Sequence, residues 1–293
     1  MLSENDLHGI YVPVITPFDT QERLDVESFE RYLTSLIQHD MDGIVLNGTT
    51  GESPTTAWDE VGRLAEAARA CMRSKALPLV IGSGTNSTAE SVRRTEAAGL
   101  WGADAVLAVT PYYSRPSEEG VIEHFRRIAS VGFPVIAYEV PSRTGVTLSA
   151  ETMKRILDLD GIIGLKDASG GTSLAEKLLP NCQKPILCGE DAHLLEMLQL
   201  GAAGGMLASA NVHTTAFLDV YAQAASGNMS LAAATFDRLL PLIRLLFRES
   251  NPAPLKWLLA RQGHIASDTL RCPMARISDA LQEELSALSE VIA

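Results

Sequence analysis

Gly161-Ile162-Ile163-Gly164-Leu165-Lys166-Asp167-Ala168-Ser169-Gly170 is a short apolar run that ends in a lysine and then breaks into turn residues. If the run is a buried strand of an α/β protein, Lys166 stands at its C-terminal end, where such folds place their chemistry. Taken alone, the stretch favours a plainer reading, a solvated lysine at a strand end paired with Asp167, because lysine is almost never buried without a partner. The chain on either side has to decide between the two.

Outward from this stretch the same pattern repeats. Gly9–Ile15, Gly43–Leu46, Leu79–Ile81, Ala105–Val109, Val135–Tyr138, Gly161–Leu165, Ile186–Cys188 and Gly205–Ala208 are short apolar runs, each followed by a turn. Between them Val26–His39, Trp58–Cys71, Ala89–Leu100, Glu118–Val131, Ser149–Leu157, Ser173–Leu179 and Ala192–Leu200 carry apolar residues three and four apart, as in Phe29, Leu33, Leu36 and Ile37. Asp25, Ser117 and Ser149 stand as caps before their helices. Strands that alternate with helices pair in parallel through right-handed crossovers. Eight such units predict a (β/α)8 TIM barrel over residues 1–225, with a doubly wound open sheet as the alternative. After His213 the strand pattern stops. Thr214–Ala225, Ser230–Arg248, Pro254–Arg261 and Ile277–Ile292 read as helices, with Pro241, Pro252, Pro254 and Pro273 as breakers or first-turn residues. Residues 226–293 are therefore expected to form a C-terminal helical extension packed on the barrel or on another subunit.

The chain has 293 residues, near-average composition and 24 Lys and Arg against 36 Asp and Glu, a net charge of −12. That sign repels nucleic acid and anionic membrane as main partners, and leaves room for small anionic substrates where a local cation serves them. The N-terminus lacks a signal-peptide pattern, and no run approaches the roughly 20 apolar residues of a membrane span. Cys71, Cys182, Cys188 and Cys272 are too scattered for a zinc site and read as reduced thiols in or near the interior, which fits the cytoplasm. The six histidines form no ligand-like pair, so no metal and no cofactor are expected.

The residues that follow each run are the candidates for chemistry. Asn47-Gly48-Thr49-Thr50-Gly51-Glu52-Ser53 offers turning backbone, amide donors and two hydroxyls, a cradle for a small carboxylate or phosphate, or else an ordinary Gly/Thr turn. Gly82-Ser83-Gly84-Thr85-Asn86 lacks the full dinucleotide fingerprint and reads as a turn. In Thr110-Pro111-Tyr112-Tyr113 the adjacent tyrosines point apart, one toward the site and one toward a neighbour, or both pack at the rim. Tyr138 ends the fifth run, and Arg143 follows with a fork suited to a carboxylate. Tyr138 and Lys166 end neighbouring strands and are expected to face each other. An amine attacks a carbonyl only when neutral, and burial in an apolar barrel mouth favours that form. Lys166 is thus a candidate for Schiff-base formation with a 2-oxo acid, with Thr49 and Tyr138 moving protons. Asp167 then reads as a turn residue pointing elsewhere.

Gly48-Thr49-Thr50-Gly51-Glu52, Pro111-Tyr112-Tyr113, Tyr138 with Val140-Pro141-Ser142-Arg143-Thr144-Gly145, Gly164-Leu165-Lys166-Asp167 and Asn251-Pro252-Ala253-Pro254-Leu255-Lys256 together resemble the dihydrodipicolinate synthase / N-acetylneuraminate lyase family. The resemblance runs nearly the whole chain, in order. It implies a class I aldolase-type barrel in which Lys166 forms a Schiff base with pyruvate, and Tyr138, Thr49 and a Tyr113 lent by the adjacent subunit relay protons. Thr50 would hold the pyruvate carboxylate, Arg143 the carboxylate of aspartate semialdehyde as in the synthase branch, and Gly189 and Met206 would lie at the substrate mouth. The resemblance further implies a tetramer of tight dimers. For feedback by lysine, Ser53, Asn86, Glu90 and Tyr112 match positions of inhibited members, while Trp58 replaces a histidine usual there, so inhibition is expected to be weak or altered. Two departures stand out. Glu139 replaces a common asparagine and is expected to add a negative charge beside Tyr138, and Gly205-Met206-Leu207-Ala208-Ser209 differs from the usual eighth strand.

The leading expectation is condensation of pyruvate with L-aspartate 4-semialdehyde to 4-hydroxy-tetrahydrodipicolinate, on the route to diaminopimelate and lysine. The alternatives are a pyruvate-dependent aldolase or dehydratase acting on a 2-keto-3-deoxy sugar acid or hydroxy-oxo acid, and a 2-oxo-acid-binding barrel without turnover.

Overall fold

The computed structural model describes residues 1–292. Eight parallel strands, β1 (Gly9–Pro13), β2 (Gly43–Leu46), β3 (Leu79–Gly82), β4 (Ala105–Val109), β5 (Val135–Glu139), β6 (Ile162–Asp167), β7 (Ile186–Cys188) and β8 (Gly204–Met206), pair in that order. Gly9 of β1 is in register with Gly204 of β8, and the sheet closes into a barrel. This is the (β/α)8 barrel that the alternation predicts. The strands are buried on both faces, so they read as near-continuous apolar runs and not as alternating ones.

The helices between strands are α1 (Val26–Leu36), α2 (Trp58–Cys71), α3 (Thr88–Leu100), α4 (Glu118–Ala129), α5 (Pro141–Thr144), α6 (Ala150–Leu157), α7 (Ser173–Leu178) and α8 (Leu194–Leu200). After β8 a 3-10 turn over Ala208–Asn211 leads into α9 (Thr214–Ala225), α10 (Met229–Leu246), α11 (Ala253–Arg261) and α12 (Asp279–Ile292). Helix starts follow local chemistry. The side chains of Asp25, Ser117 and Ser149 accept the amides of Ser28, Gly120 and Thr152 at 2.9, 3.3 and 3.1 Å, each satisfying one orphan donor of a first turn. In α1 Phe29, Tyr32, Leu33 and Leu36 form the buried stripe.

Three local expectations need correction. β6 runs on through Lys166 to Asp167, so Asp167 is a strand residue and not a turn residue. β8 ends at Met206, because Ala208 opens the 3-10 turn. Pro241 lies inside α10 and does not break it, although a proline there gives up one backbone bond; Pro252 caps α11 and Pro254 falls in its first turn, as expected. Ala293, the end of the expected extension, lies outside the described residues.

The chain forms two compact units. Met1–Tyr11, Asp42–Val45 and Leu77–Leu207 make the first, and Val12–Met41, Leu46–Ala76 and the chain from Ala208 onward make the second. The first is built on an apolar cluster that includes Tyr11, Val80, Leu107, Ile136, Tyr138, Leu187 and Met206. In the second, α1 packs on α2, α9 on α10, and α12 on both α10 and α11. Among the described residues no helix is long and apolar enough to cross a membrane.

Candidate active site

In a strand successive side chains point to opposite faces. Tyr138 belongs to the apolar cluster together with Ile136, so Glu139 points to the other face of the sheet. Tyr138 is in register with Lys166, and Glu139 with Asp167, which carries the same alternation onto β6. The expected meeting of Tyr138 and Lys166 is realised: Lys166 Nζ lies 4.4 Å from the centroid of the Tyr138 ring. Both side chains are only 6% exposed. Leu187 of β7 is in register with Lys166, and Met206 joins the same cluster. A Cβ at Gly189 would stand 3.0 Å from Lys166 Cε, Ala168 Cβ and Asp167 O, so only glycine lets the turn after β7 lie against the lysine. Among the described residues no carboxylate or carbonyl hydrogen-bonds Lys166 Nζ. Nothing therefore ties the amine down where a carbonyl carbon would approach.

The other face of β5 and β6 holds two buried carboxyls. Glu139 accepts the Thr110 hydroxyl at 2.6 Å and the Leu148 amide at 3.0 Å. Asp167 Oδ1 accepts the Ser169 amide at 3.0 Å, while its Oδ2 has no hydrogen-bond partner among the described residues. Burial raises the Glu139 carboxyl above its ordinary range, the two hydrogen bonds oppose this, and the Asp167 charge adds to it. Burial likewise raises Asp167, with the bonds from Ser169 opposing. The expectation that Glu139 sets a charge beside Tyr138 is corrected by this geometry, which turns it to the opposite face of the strand. Asp167 is turned away from Lys166 in the same manner.

The loops after β3, β4 and β5 carry further candidates. Arg143 is exposed on α5, a single turn that closes at Gly145 in the left-handed region with φ 70°. Tyr112 is half-buried, whereas Tyr113 is 90% exposed at φ 71°. Asn86 is exposed, and Glu90 is held by Arg93 and, at 2.8 Å, by Arg94. The bonds from Arg93 and Arg94 hold the Glu90 carboxyl below its ordinary range.

In the second unit the turn after β2 carries Thr49, half-buried, and Thr50, buried. Thr50 Oγ1 accepts from Asn251 Nδ2 at 3.1 Å. The Thr16 hydroxyl donates to Gly51 O at 2.7 Å. Glu52, at φ 54°, pairs with Lys256 Nζ at 2.7 Å, both fully enclosed, and Glu52 also accepts the Arg271 amide at 3.2 Å. Ser53 and Trp58 are half-buried at the end of this turn and the start of α2. In the sequence Asn251 and Lys256 stand out only as members of the Asn251–Lys256 motif. Their compact Asn251–Lys256 segment was the signal that something in the C-terminal helices serves the Thr-Thr turn.

Among the described residues no group of three His, Cys, Asp or Glu side chains could hold a metal ion. The four cysteines are free, with Cys188 buried, Cys71 and Cys182 half-buried and Cys272 exposed.

An eight-stranded parallel barrel with a buried lysine at the end of its sixth strand, stacked on a tyrosine of the fifth, is the architecture of a class I aldolase-type lyase. The chain belongs to the dihydrodipicolinate synthetase family, whose sequence profile matches residues 6–291. A 4-hydroxy-tetrahydrodipicolinate synthase of Pseudomonas aeruginosa is 40% identical over 280 residues, covering 94% of this chain and 95% of that protein. The structure of the 4-hydroxy-tetrahydrodipicolinate synthase of Methylacidiphilum fumariolicum superposes with a TM-score of 0.93 at 34% identity, over 97% of this chain and 95% of that one. The chloride-inhibited dihydrodipicolinate synthase of Acinetobacter baumannii, complexed with pyruvate, gives 0.93 at 33% identity over 97% and 98% of the two chains.

Proposed function

We propose that this chain condenses pyruvate with L-aspartate 4-semialdehyde to give 4-hydroxy-tetrahydrodipicolinate, in lysine and diaminopimelate biosynthesis, through a Schiff base on Lys166. The observation that carries the mechanism is the Lys166 amine, buried beside the Tyr138 ring and, among the described residues, held by no acceptor. Lys166 Nζ adds to the C2 carbonyl of pyruvate, and the carbinolamine loses water to form an imine. Loss of a C3 proton gives an enamine, whose C3 bonds to the aldehyde carbon of the second substrate. The amino group of that substrate then displaces Lys166 from C2 and closes the ring.

Tyr138 and Thr49 move the protons, together with Tyr113 lent across a subunit interface; its 90% exposure in the single chain supports that role. Thr50 and the backbone beside it hold the pyruvate carboxylate. Because Asn251 donates to Thr50 Oγ1, the hydroxyl's own proton is left to give to an anion. Arg143 binds the carboxylate of the semialdehyde, and Gly189 and Met206 line the mouth. We read the enzyme as a cytoplasmic tetramer of tight dimers, with residues 226–293 as a helical extension of the barrel. Inhibition by lysine is weak or altered, since Trp58 replaces the histidine usual in inhibited members, and the pairing of Glu90 with Arg93 and Arg94 supports this.

A coupled rate assay with pyruvate and aspartate semialdehyde tests the reaction directly. Arg143→Ala is expected to lower kcat/KM for the semialdehyde by roughly 100-fold, through loss of a bidentate carboxylate clamp, with pyruvate binding little changed. Unchanged kinetics in that variant, or turnover of a 2-keto-3-deoxy sugar acid in place of the semialdehyde, would favour the aldolase alternative.

A further inference from the structure

Glu139 is a buried carboxylate that the proposed chemistry does not use, and its two hydrogen bonds reach two different loops. Thr110 directly follows β4 and precedes Pro111-Tyr112-Tyr113. Leu148 lies nine positions beyond Glu139, at the far end of the segment that carries Arg143. Within that segment the Arg143 amide bonds to Val140 O at 2.9 Å and the Thr144 hydroxyl to the same oxygen at 3.2 Å, so the turn bearing Arg143 is internally stiff. What fixes the turn to the barrel is its base. Its N-terminal end is the covalent continuation of β5, and its C-terminal end is the Leu148 amide on Glu139 Oε1, with the Leu148 side chain buried. The second oxygen, Oε2, takes the Thr110 hydroxyl at 2.6 Å.

We infer that Glu139 is a positioning residue for the second substrate: its carboxylate clamps the Arg143-bearing segment and the Tyr113-bearing loop to the ends of β4 and β5. The inference rests on the proposed role of Arg143 as receiver of the substrate carboxylate. Glutamine can keep the clamp without the charge. Its oxygen takes the Leu148 amide, its NH2 donates to Thr110 Oγ1, and the Thr110 proton turns to Tyr138 O, already 3.2 Å away. Alanine loses both arms.

The test compares Glu139→Ala and Glu139→Gln by steady-state kinetics and by amide hydrogen exchange of the 140–148 segment. Glu139→Ala is expected to raise KM for aspartate semialdehyde about tenfold or more while KM for pyruvate moves less than about threefold, since a loosened clamp misplaces Arg143 and not Lys166. Exchange of the segment should speed up by about tenfold in Glu139→Ala, as for any element that opens locally more often. Glu139→Gln should bring both readouts back to near wild type. Thr110→Val removes one arm and should show the same split in smaller measure, which keeps the inference falsifiable even if the alanine variant folds poorly. Unaltered exchange in both Glu139→Ala and Thr110→Val would overturn the inference, as would a glutamine variant as impaired as the alanine one. If the wild-type enzyme does not turn over aspartate semialdehyde, the proposed function fails, and the exchange measurement still decides whether Glu139 is the clamp.

Discussion

Lys166 and Lys256 are both sunk into the protein, 6% and 0% exposed, and each Nζ lies 4.4 Å from the centroid of an aromatic ring, Tyr138 for one and Phe18 for the other. Their polar surroundings differ completely. Lys256 donates to Glu52 at 2.7 Å, to Thr16 O at 2.9 Å and to Thr269 O at 2.5 Å, one acceptor for each ammonium proton. Burial pulls its ammonium below the ordinary value, and the Glu52 charge and hydrogen bond oppose that pull. Lys166 has no such acceptors among the described residues. Burial alone thus says little about what a lysine does. A lysine whose protons are all placed is a structural tie, here one that fixes Glu52 in the Thr-Thr turn, and a lysine whose amine is left unheld is available to a substrate carbonyl.

The largest contrast is expected in stability. Lys256→Ala strands the Glu52 carboxylate in the interior and should cost about 3–5 kcal/mol in urea unfolding, whereas Lys166→Ala strands no carboxylate and should cost far less. Equal losses would break the distinction. Lys256→Met combined with Glu52→Gln should recover part of the loss, because no buried charge is then left unpaired.

A third buried base sharpens the comparison with a smaller effect. His124 Nδ1 lies 2.9 Å from Thr88 Oγ1, and Nε2 has no partner among the described residues. Burial lowers its pKa from 6.5 to about 4. Between those values the unfolded chain binds a proton that the folded chain refuses, so lowering the pH favours unfolding. Stability should fall by about 3 kcal/mol as pH drops from about 6.5 to about 4, and His124→Gln should remove that part of the slope. A variant with the wild-type slope would mean that the folded protein accommodates the imidazolium.

The barrel was legible because its information is local and repeated. Eight apolar runs with capped amphipathic helices between them admit few topologies, and a lysine and a tyrosine at the ends of neighbouring strands must then lie side by side. Glu139 and Asp167 were read less well. A polar residue at a strand end looks like the start of a turn unless the distant groups that satisfy it are known, here Thr110 and Leu148 for Glu139. Lys256 and Glu52 are 204 positions apart, and no periodicity connects them. Their motif marked them, but only the fold shows that one serves the other. Pro241 illustrates the converse, a strong local rule overridden inside a long helix that packs on α9 and α12.

The central claim is that Lys166, and not Lys256, is the reactive amine. Incubation with pyruvate, reduction with borohydride and peptide mass analysis test it directly. A pyruvate-derived mass on the peptide containing Lys166, absent from the peptide containing Lys256 and lost in Lys166→Ala, is the predicted result. An unmodified Lys166 beside a labelled lysine elsewhere, or no adduct at all, would contradict it.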